Sequence, residues 1–422
     1  MNIPLLAALE IGSSRTTLLV GEPDENGVMH VVGKGCVPSI GVRKGEIVNF
    51  PNVVQCVTQA VTKVVAEKKF DIGCVMLAAS GGYIGSLTNY GSTPIRSHDH
   101  VVSQDDIDEV QELAGSVVLP TPTLARMHTI AQKYKLDGQT GIVRPEGLKG
   151  STLGLGMLVI HAERGPIENL QNAVSAASLD VEDVVFSALA ASHAVLSQEQ
   201  RDAGVAIIDL GGGTTGMVAF ADGVPMDAWS LAVGGDHVTN DISFAFNMPT
   251  QRAQSLKHEY GSALPGGGSE RIAVPADFGI SDRTIAVNAL RTVINARMDE
   301  LFRIFRDRLD HKELTRKLGA GVVLTGGGAA LPGVAELAQS IFRVPCTIGT
   351  LQNLTGIEEE AHPESFAVPA VSTQKQCKDG KHGVVAKSLA RVGQCQRIQS
   401  FRLVFKHNYL ILGFLLLTRS NR

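Results

Sequence analysis

Two short segments of this chain combine an acid, small residues and hydroxyls at one spacing. The first runs Glu10-Ile11-Gly12-Ser13-Ser14-Arg15-Thr16-Thr17, and the second Asp209-Leu210-Gly211-Gly212-Gly213-Thr214-Thr215-Gly216. An apolar strand precedes each, and another follows, at Leu18-Leu19-Val20 and at Met217-Val218-Ala219-Phe220. The pattern predicts a β-hairpin whose turn presents bare N–H groups and hydroxyls. Such a turn suits a polyphosphate, because glycine lets the backbone come close and the amides form an anion nest. The acid ending each first strand can hold magnesium, usually through water, because that ion dehydrates reluctantly. One such hairpin is more often an ordinary structural turn. Two with matching flanks predict duplicated halves that face one ligand across a cleft.

A third element follows both hairpins. Gly321-Val322-Val323-Leu324-Thr325 reads as a buried strand, Gly326-Gly327-Gly328 as a bare turn, and Ala329 onward as a helix running through Phe342. Strand, triple glycine and helix make a place where a flat base or ribose can lie on backbone. In this order the three elements resemble the actin, sugar-kinase and chaperone ATPase superfamily. The resemblance implies an α/β, actin-like ATPase fold with two duplicated halves around a nucleotide cleft. It also implies ATP and Mg2+ as cofactors, with the metal near Glu10 and Asp209. The nucleotide residues are then Gly12, Ser13, Ser14, Arg15, Asp209, Gly211, Gly212, Gly213, Thr214 and Thr215 around the phosphates.

The elements around these turns narrow the resemblance. Val233-Gly234-Gly235-Asp236-His237-Val238-Thr239-Asn240-Asp241-Ile242, Ala253-Gln254-Ser255-Leu256-Lys257-His258-Glu259-Tyr260-Gly261 and Gly349-Thr350-Leu351-Gln352-Asn353-Leu354-Thr355-Gly356 resemble segments of the FtsA family of bacterial cell-division proteins. The similarity runs from about Leu6 to about Pro369. It implies that Gly235 and Lys257 join Gly326, Gly327 and Gly328 toward the adenosine end. Between Ile84 and His161, Ser103 can cap a helix with Asp106 three residues on, and Ile107, Val110, Leu113, Ala114 and Val117 follow at helical spacing. A strand at Leu153–Ile160 comes after Gly147-Leu148-Lys149-Gly150. This block resembles the family's inserted α+β subdomain (the SHS2 domain), which serves self-association into filaments and contact with other division proteins. Taken alone, the block is an ordinary surface insertion. The organisation expected is 1–83 as the start of domain I, 84–161 as the insertion, 162–203 as the rest of domain I, 204–370 as domain II, and 371–422 as a linker and tail.

A helix expected over Thr284–Leu309 carries an apolar stripe that core packing explains. The resemblance adds that Arg297 and Glu300 match a pair receiving the C-terminal peptide of the tubulin-like protein FtsZ. Leu264-Pro265-Gly266-Gly267-Gly268 has no apolar strand before it and reads as a loop.

The chain departs from the superfamily where chemistry is concerned. Glu10 stands where Asp is usual, and Gly216 stands where the second hairpin commonly carries Asp. The connecting segment Phe186-Ser187-Ala188-Leu189-Ala190 offers no base where chaperone ATPases carry Glu. Hydrolysis needs an oriented water and neutralised charge in line with the γ-phosphate, so binding survives these changes better than turnover. The expectation is nucleotide binding with slow or absent hydrolysis.

Composition sets the outer bounds. Hydrophobic residues at 44% and charged residues at 19% are globular proportions, and 422 residues suffice for two sizeable domains. One Trp and five Tyr argue against an aromatic platform for nucleic acid, so no nucleic-acid partner is expected. The six cysteines are scattered without zinc spacing and read as reduced thiols. The N-terminal segment lacks a basic flank and is not expected to be a signal peptide. From Val371 onward ten Lys and Arg face Asp379 alone, a net +9 against −4 for the whole chain, so residues 1–370 carry −13. The apolar stretch Tyr409–Leu417 is too short to span a bilayer, since nine helical residues rise only ~1.5 Å each. A basic amphipathic tail with an apolar plug suits an anionic membrane surface, and the plain alternatives are a buried C-terminal strand or a sequence accident beyond about Val371. The function expected is an actin-like adaptor that tethers FtsZ filaments to the cytoplasmic face of the cell membrane at the division septum. Two rivals are a pilus-assembly adaptor of the same fold and a small-molecule kinase, which would need a carboxylate base that no residue here supplies.

Overall fold

The computed structural model describes residues 5–24, 28–67, 72–275, 282–352 and 354–356. The basic and apolar tail after residue 370 lies outside the described residues.

The first half opens with strands β1 (Leu6–Ile11), β2 (Arg15–Pro23) and β3 (Met29–Pro38), then the short hairpin β4 (Val42–Arg43) and β5 (Glu46–Ile47). Helix α1 (Phe50–Glu67) and strand β6 (Cys74–Ala79) follow. The insertion comprises β7 (Ile84–Pro94), α2 (Gln104–Gly115), β8 (Leu124–Leu136), β9 (Gln139–Ile142) and β10 (Thr152–Glu163). The chain returns through α3 (Arg164–Ala176), β11 (Asp180–Phe186), α4 (Ser187–Val195) and α5 (Gln198–Ala203). The second half has β12 (Val205–Leu210), β13 (Thr215–Ala221), β14 (Val224–Leu231), α6 (Gly235–Ala245) and α7 (Thr250–Tyr260). It continues with β15 (Arg271–Val274), β16 (Arg283–Ala286), α8 (Val287–His311), β17 (Val322–Thr325), α9 (Val334–Phe342), β18 (Cys346–Ile348) and β19 (Leu354–Thr355).

The duplication read from the two hairpins is present in the sheets. In the first half the order is β3-β2-β1-β6-β11, and in the second β14-β13-β12-β17-β18. Each sheet has two antiparallel pairs from its hairpin strands and two parallel pairs beyond. The strands at the centre, β1 and β12, are buried on both faces, as their apolar runs Ala7-Ala8-Leu9 and Val205-Ala206-Ile207-Ile208 require. The first sheet gains a sixth strand, because β19 returns from the end of the second half to pair with β3. One apolar core fills the first half and runs on to one face of the second sheet and to Leu158, Ile160 and Ala162 of the insertion, and two others fill the rest of the second half and the insertion.

The insertion forms its own antiparallel sheet, β7-β10-β8-β9, with α2 packed on it. Ser103 and Asp106 form the expected capping box: Ser103 Oγ accepts from the Asp106 amide, and the Asp106 carboxylate accepts from the Ser103 amide. The helix stops at Gly115, short of Val117, and the strand expected at Leu153–Ile160 extends over Thr152–Glu163. Gly91 on β7 lies where a Cβ would come 2.4 Å from the Ala114 amide, so glycine sets how closely α2 approaches.

Two helix boundaries differ from those expected. Residues Arg283–Ala286 pair with β15 as a strand, and α8 begins only at Val287. The alternation there buries Ile285 against the second core, and this outweighs the helical spacing of the residues after it. After the triple glycine a short 3-10 turn covers Gly327–Ala330, and α9 starts at Val334 rather than at Ala329. Pro332 lacks an amide donor and Gly333 takes a left-handed φ of 76°, which together end the first turn. The segment Leu264–Gly268 is a loop, as its sequence suggested.

Candidate functional site

The two hairpin turns face each other across the halves. Each is closed the same way: the Gly12 amide donates to the Arg15 carbonyl at 3.0 Å, and the Gly211 amide donates to the Thr214 carbonyl at 2.9 Å. A Cβ on Gly212 would stand 2.9 Å from Ser14 Cβ, and one on Gly213 would stand 2.3 Å from Ser13 Oγ. Glycine is therefore required at both positions by the opposing turn. Two further bonds hold the same place, the second of them between the halves. The Gly45 amide donates to Ser13 Oγ at 3.0 Å, and Thr214 Oγ1 donates to Ser80 Oγ at 3.2 Å.

Beside these turns a cleft of about 400 Å³ opens, lined by Glu10, Gly12, Ser13, Ser14, Arg15, Asp209, Gly211, Gly212, Thr214, Thr215, Gly235, Lys257, Gly326, Gly327 and Gly328. All the cleft residues expected from sequence are thus brought together, with one exception. Gly213 does not line the cleft but packs behind it on Ser13 and the Lys44 amide.

Three acids line this cleft, Asp236 and the two that belong to the hairpins, Glu10 and Asp209. Burial, followed by the neighbouring Asp209, pushes the Glu10 carboxyl up to about 8, while Arg15 opposes the shift. Burial pushes Asp209 up to about 6. Neighbouring buried acids short of positive charge are what a divalent cation satisfies. Among the described residues no third His, Cys, Asp or Glu joins them into a metal cluster. These two side chains fit magnesium, which keeps most of its water and takes phosphate oxygens as further ligands.

The opposite wall comes from α6, α7 and α8. Lys257 Nζ donates to the Gly235 carbonyl at 2.9 Å and to Thr239 Oγ1 at 2.8 Å, and burial pulls its ammonium down to about 8. Thr239 Oγ1 donates to Gln254 Oε1 at 2.6 Å, and the Gln254 amide nitrogen lies 2.8 Å from His258 Nε2. These groups give a polar rim opposite the bare Gly326–Gly328 backbone, with Met298, Leu301, Leu331 and Pro332 as apolar surface. The combination of an apolar slot and a few fixed polar groups is that of a small-molecule site.

Sequence reasoning did not single out Ser80, Asp236, Gln254, His258, Met298 and Leu301. On α7 Gln254 lies three residues before Lys257 and four before His258, a helical spacing that could have flagged it. Ser80 directly follows β6, with only the glycines after it as a signal.

Arg297 and Glu300 lie on α8 outside this lining. Arg297 is not simply solvated. Its Nε and Nη2 donate to Asp241 of α6 at 2.6 and 3.1 Å, and its Nη1 donates to Glu300 at 2.5 Å.

Comparisons with known proteins agree with this architecture. The model of the family described as cell division protein FtsA matches residues 206–372, and that of the SHS2 domain inserted in FtsA matches residues 81–161. The chain is 33% identical to cell division protein FtsA of Pseudomonas aeruginosa over 357 residues, covering 84% of this chain and 85% of that protein. It is 32% identical to cell division protein FtsA of Escherichia coli over 372 residues, covering 86% and 88%. Among solved structures, the PilM-PilN type IV pilus biogenesis complex superposes with a TM-score of 0.58 at 16% identity, covering 88% of this chain and 98% of the other. MreB5 of Spiroplasma citri bound to ADP superposes with a TM-score of 0.52 at 14% identity, covering 90% and 99%.

The raised Glu10 carboxyl has a consequence for stability. The folded state holds that proton more tightly than the unfolded chain, so stability falls as pH rises from about 4.5 toward about 8. Glu10→Gln is therefore expected to raise the Tm by several degrees at pH 8.5 and to leave it nearly unchanged at pH 5. Equal shifts at both pH values in a thermal melt would remove burial of the charge as the cause.

Proposed function

The chain belongs to the FtsA family of cell-division proteins, and from that we propose a nucleotide-holding, self-associating adaptor of the division septum. In this reading it binds ATP with Mg2+, assembles into filaments, and tethers FtsZ filaments to the cytoplasmic face of the membrane. One observation carries the nucleotide part. Two glycine turns from duplicated halves meet beside two buried acids, with a bare glycine wall at the far end.

The residues have distinct work in that reading. Amides and hydroxyls of Gly12–Arg15 and Gly211–Thr215 bind the phosphates, with Arg15 adding positive charge. Glu10 and Asp209 would hold the magnesium, whose chemistry is to neutralise the phosphate oxygens. Lys257 already has two of its three N–H groups placed by protein acceptors, so its remaining proton is pre-aimed toward a sugar or phosphate oxygen. Gly326–Gly328 lets the base lie on backbone. Gly212→Val would drive a branched side chain into Ser14 and spread the turns. It is expected to abolish ATP binding and ATP-dependent pelleting while circular dichroism stays native. Unchanged ATP affinity in a native-like variant would refute the assignment.

The partner site is read at Arg297 and Glu300. An FtsZ C-terminal peptide there has to share or displace the Asp241 carboxylate that occupies the Arg297 fork, which makes the contact modest and salt-sensitive. Arg297→Ala is expected to weaken peptide binding about tenfold in a fluorescence titration without altering ATP affinity. A peptide that binds the variant as well as the parent docks elsewhere. The inserted subdomain is the surface for other division partners.

The tail after Ala370 is read as the membrane anchor. Its basic residues contribute ~1 kcal/mol each near an anionic surface, and that share disappears as screening shortens to ~3 Å at 1 M salt. The apolar stretch Tyr409–Leu417 supplies a residual that salt does not remove. Truncation after Ala370 is expected to abolish sedimentation with anionic vesicles and to spare ATP binding. Full sedimentation of the truncated chain would take the anchor away from the tail.

A further inference from the structure

Gly216 sits directly opposite Asp209 in the β12–β13 pair, so a side chain there would rise on the same face as the Asp209 carboxylate. The equivalent place in the first half, opposite Glu10, is held by Thr17, which keeps its side chain. At Gly216 the room is taken. A Cβ built on it comes 2.9 Å from Ala188 Cβ and 3.4 Å from Cζ of Phe186. Both neighbours are fully buried and belong to one short stretch, the end of β11 and the start of α4. That stretch is also pinned from the other side, because the Phe186 amide donates to His128 Nε2 of the insertion at 3.0 Å. The hydroxyl of Ser187, between the two, is buried without a hydrogen-bond partner among the described residues.

We propose that Ala188, backed by Phe186, closes position 216 to any side chain, and that this closure makes the cleft one that holds a nucleoside triphosphate and turns it over only slowly. The inference rests on the nucleotide reading above. In hydrolysis the oxygen of a water molecule attacks the γ-phosphorus, and a new P–O bond forms as the bond to the bridging oxygen breaks. The electron pair leaves with the nucleoside diphosphate, and the water's proton passes to a nearby acceptor and then to the released phosphate. Asp209 lines the cleft, and a carboxylate paired with it at position 216 would orient that water and accept that proton. Ala188 is a positioning residue in this account: it acts only by deciding what position 216 can hold.

The test compares the full chain with Gly216→Asp, Ala188→Gly/Gly216→Asp and Ala188→Gly/Gly216→Asn. Each is measured for affinity toward a fluorescent ATP analogue, for phosphate release with Mg2+, and for Tm. Gly216→Asp alone is expected to lose several degrees of Tm, because the new carboxylate is pressed onto Ala188 and the Phe186 ring. Adding Ala188→Gly is expected to recover most of that loss and to raise kcat at least about tenfold, with KM within about threefold of the parent. The Asn variant, of equal size and without charge, is expected to match the double variant in Tm and to lack its gain in kcat.

A Gly216→Asp protein with parental Tm, or one gaining as much kcat as the double variant, overturns the closure. A folded double variant that binds ATP and releases phosphate at the parental rate overturns the link to turnover, as does an equal gain with Asn. A parent chain that binds no ATP analogue is a different result, which overturns the nucleotide reading itself.

Discussion

Everything at the candidate site depends on the contact between two glycine turns from opposite halves of the chain. Gly212 lies against Ser14 and Gly213 against Ser13, at separations that leave no space for a Cβ. This contact sets the distance between the two sheets at the cleft, and hence which acids and amides can reach one ligand. It also explains why Gly213 is required although it does not line the cleft. It acts as a spacer, letting the β4–β5 hairpin and Ser13 come close enough for the Gly45 amide to bond the serine.

Much of this was legible because the informative residues are local. An acid, a glycine turn and two apolar strands sit within about fifteen residues, and the capping box of α2 within four. The doubled hairpin also implied the doubled sheet order, since equal local patterns bury equal faces. What stayed hidden was decided by packing between distant segments. The strand at Arg283–Ala286 exists because β15 offers it a partner, and four residues are too short a run for their alternation to announce that. The return of β19 to the first sheet is a pairing between residues 354 and 29, which short-range patterns do not encode. Gln254 and His258 were present in a quoted stretch, but which helix face meets the cleft was set by the packing of α7 on α6 and α8.

Helix α8 ties the cleft to the outer surface. Met298 and Leu301 line the cleft, while their immediate neighbours in sequence form an ion pair, Arg297 donating to Glu300 and also to Asp241 of α6. A 3.6-residue period turns adjacent residues about 100° apart, so one helix carries both sets without a loop between them. Its packing is heavy: Leu290, Ile294, Phe302, Phe305 and Leu309 are all fully buried. A helix held this firmly moves as a body, so a shift of its cleft face also moves Arg297.

The insertion is fastened to both halves rather than to one. On the first half, His128 holds the Phe186 amide. On the second, Ser86 Oγ donates to Asp227 Oδ1 at 3.1 Å and accepts from the Ala228 amide at 3.0 Å. Asp227 is itself gripped by both nitrogens of the Arg308 fork, at 2.7 and 2.8 Å, and Arg308 lies 4.8 Å over the Trp229 ring. An acid this deeply buried is tolerated because each of its oxygens has a charged donor, and losing one would leave the other charge stranded. Because the fork comes from α8, the same helix that lines the cleft also fixes the insertion. A change in the angle between the halves therefore has to be taken up at Ser86–Asp227 or at His128–Phe186. The inserted subdomain is mechanically part of the cleft, although no residue of it lines the cleft wall.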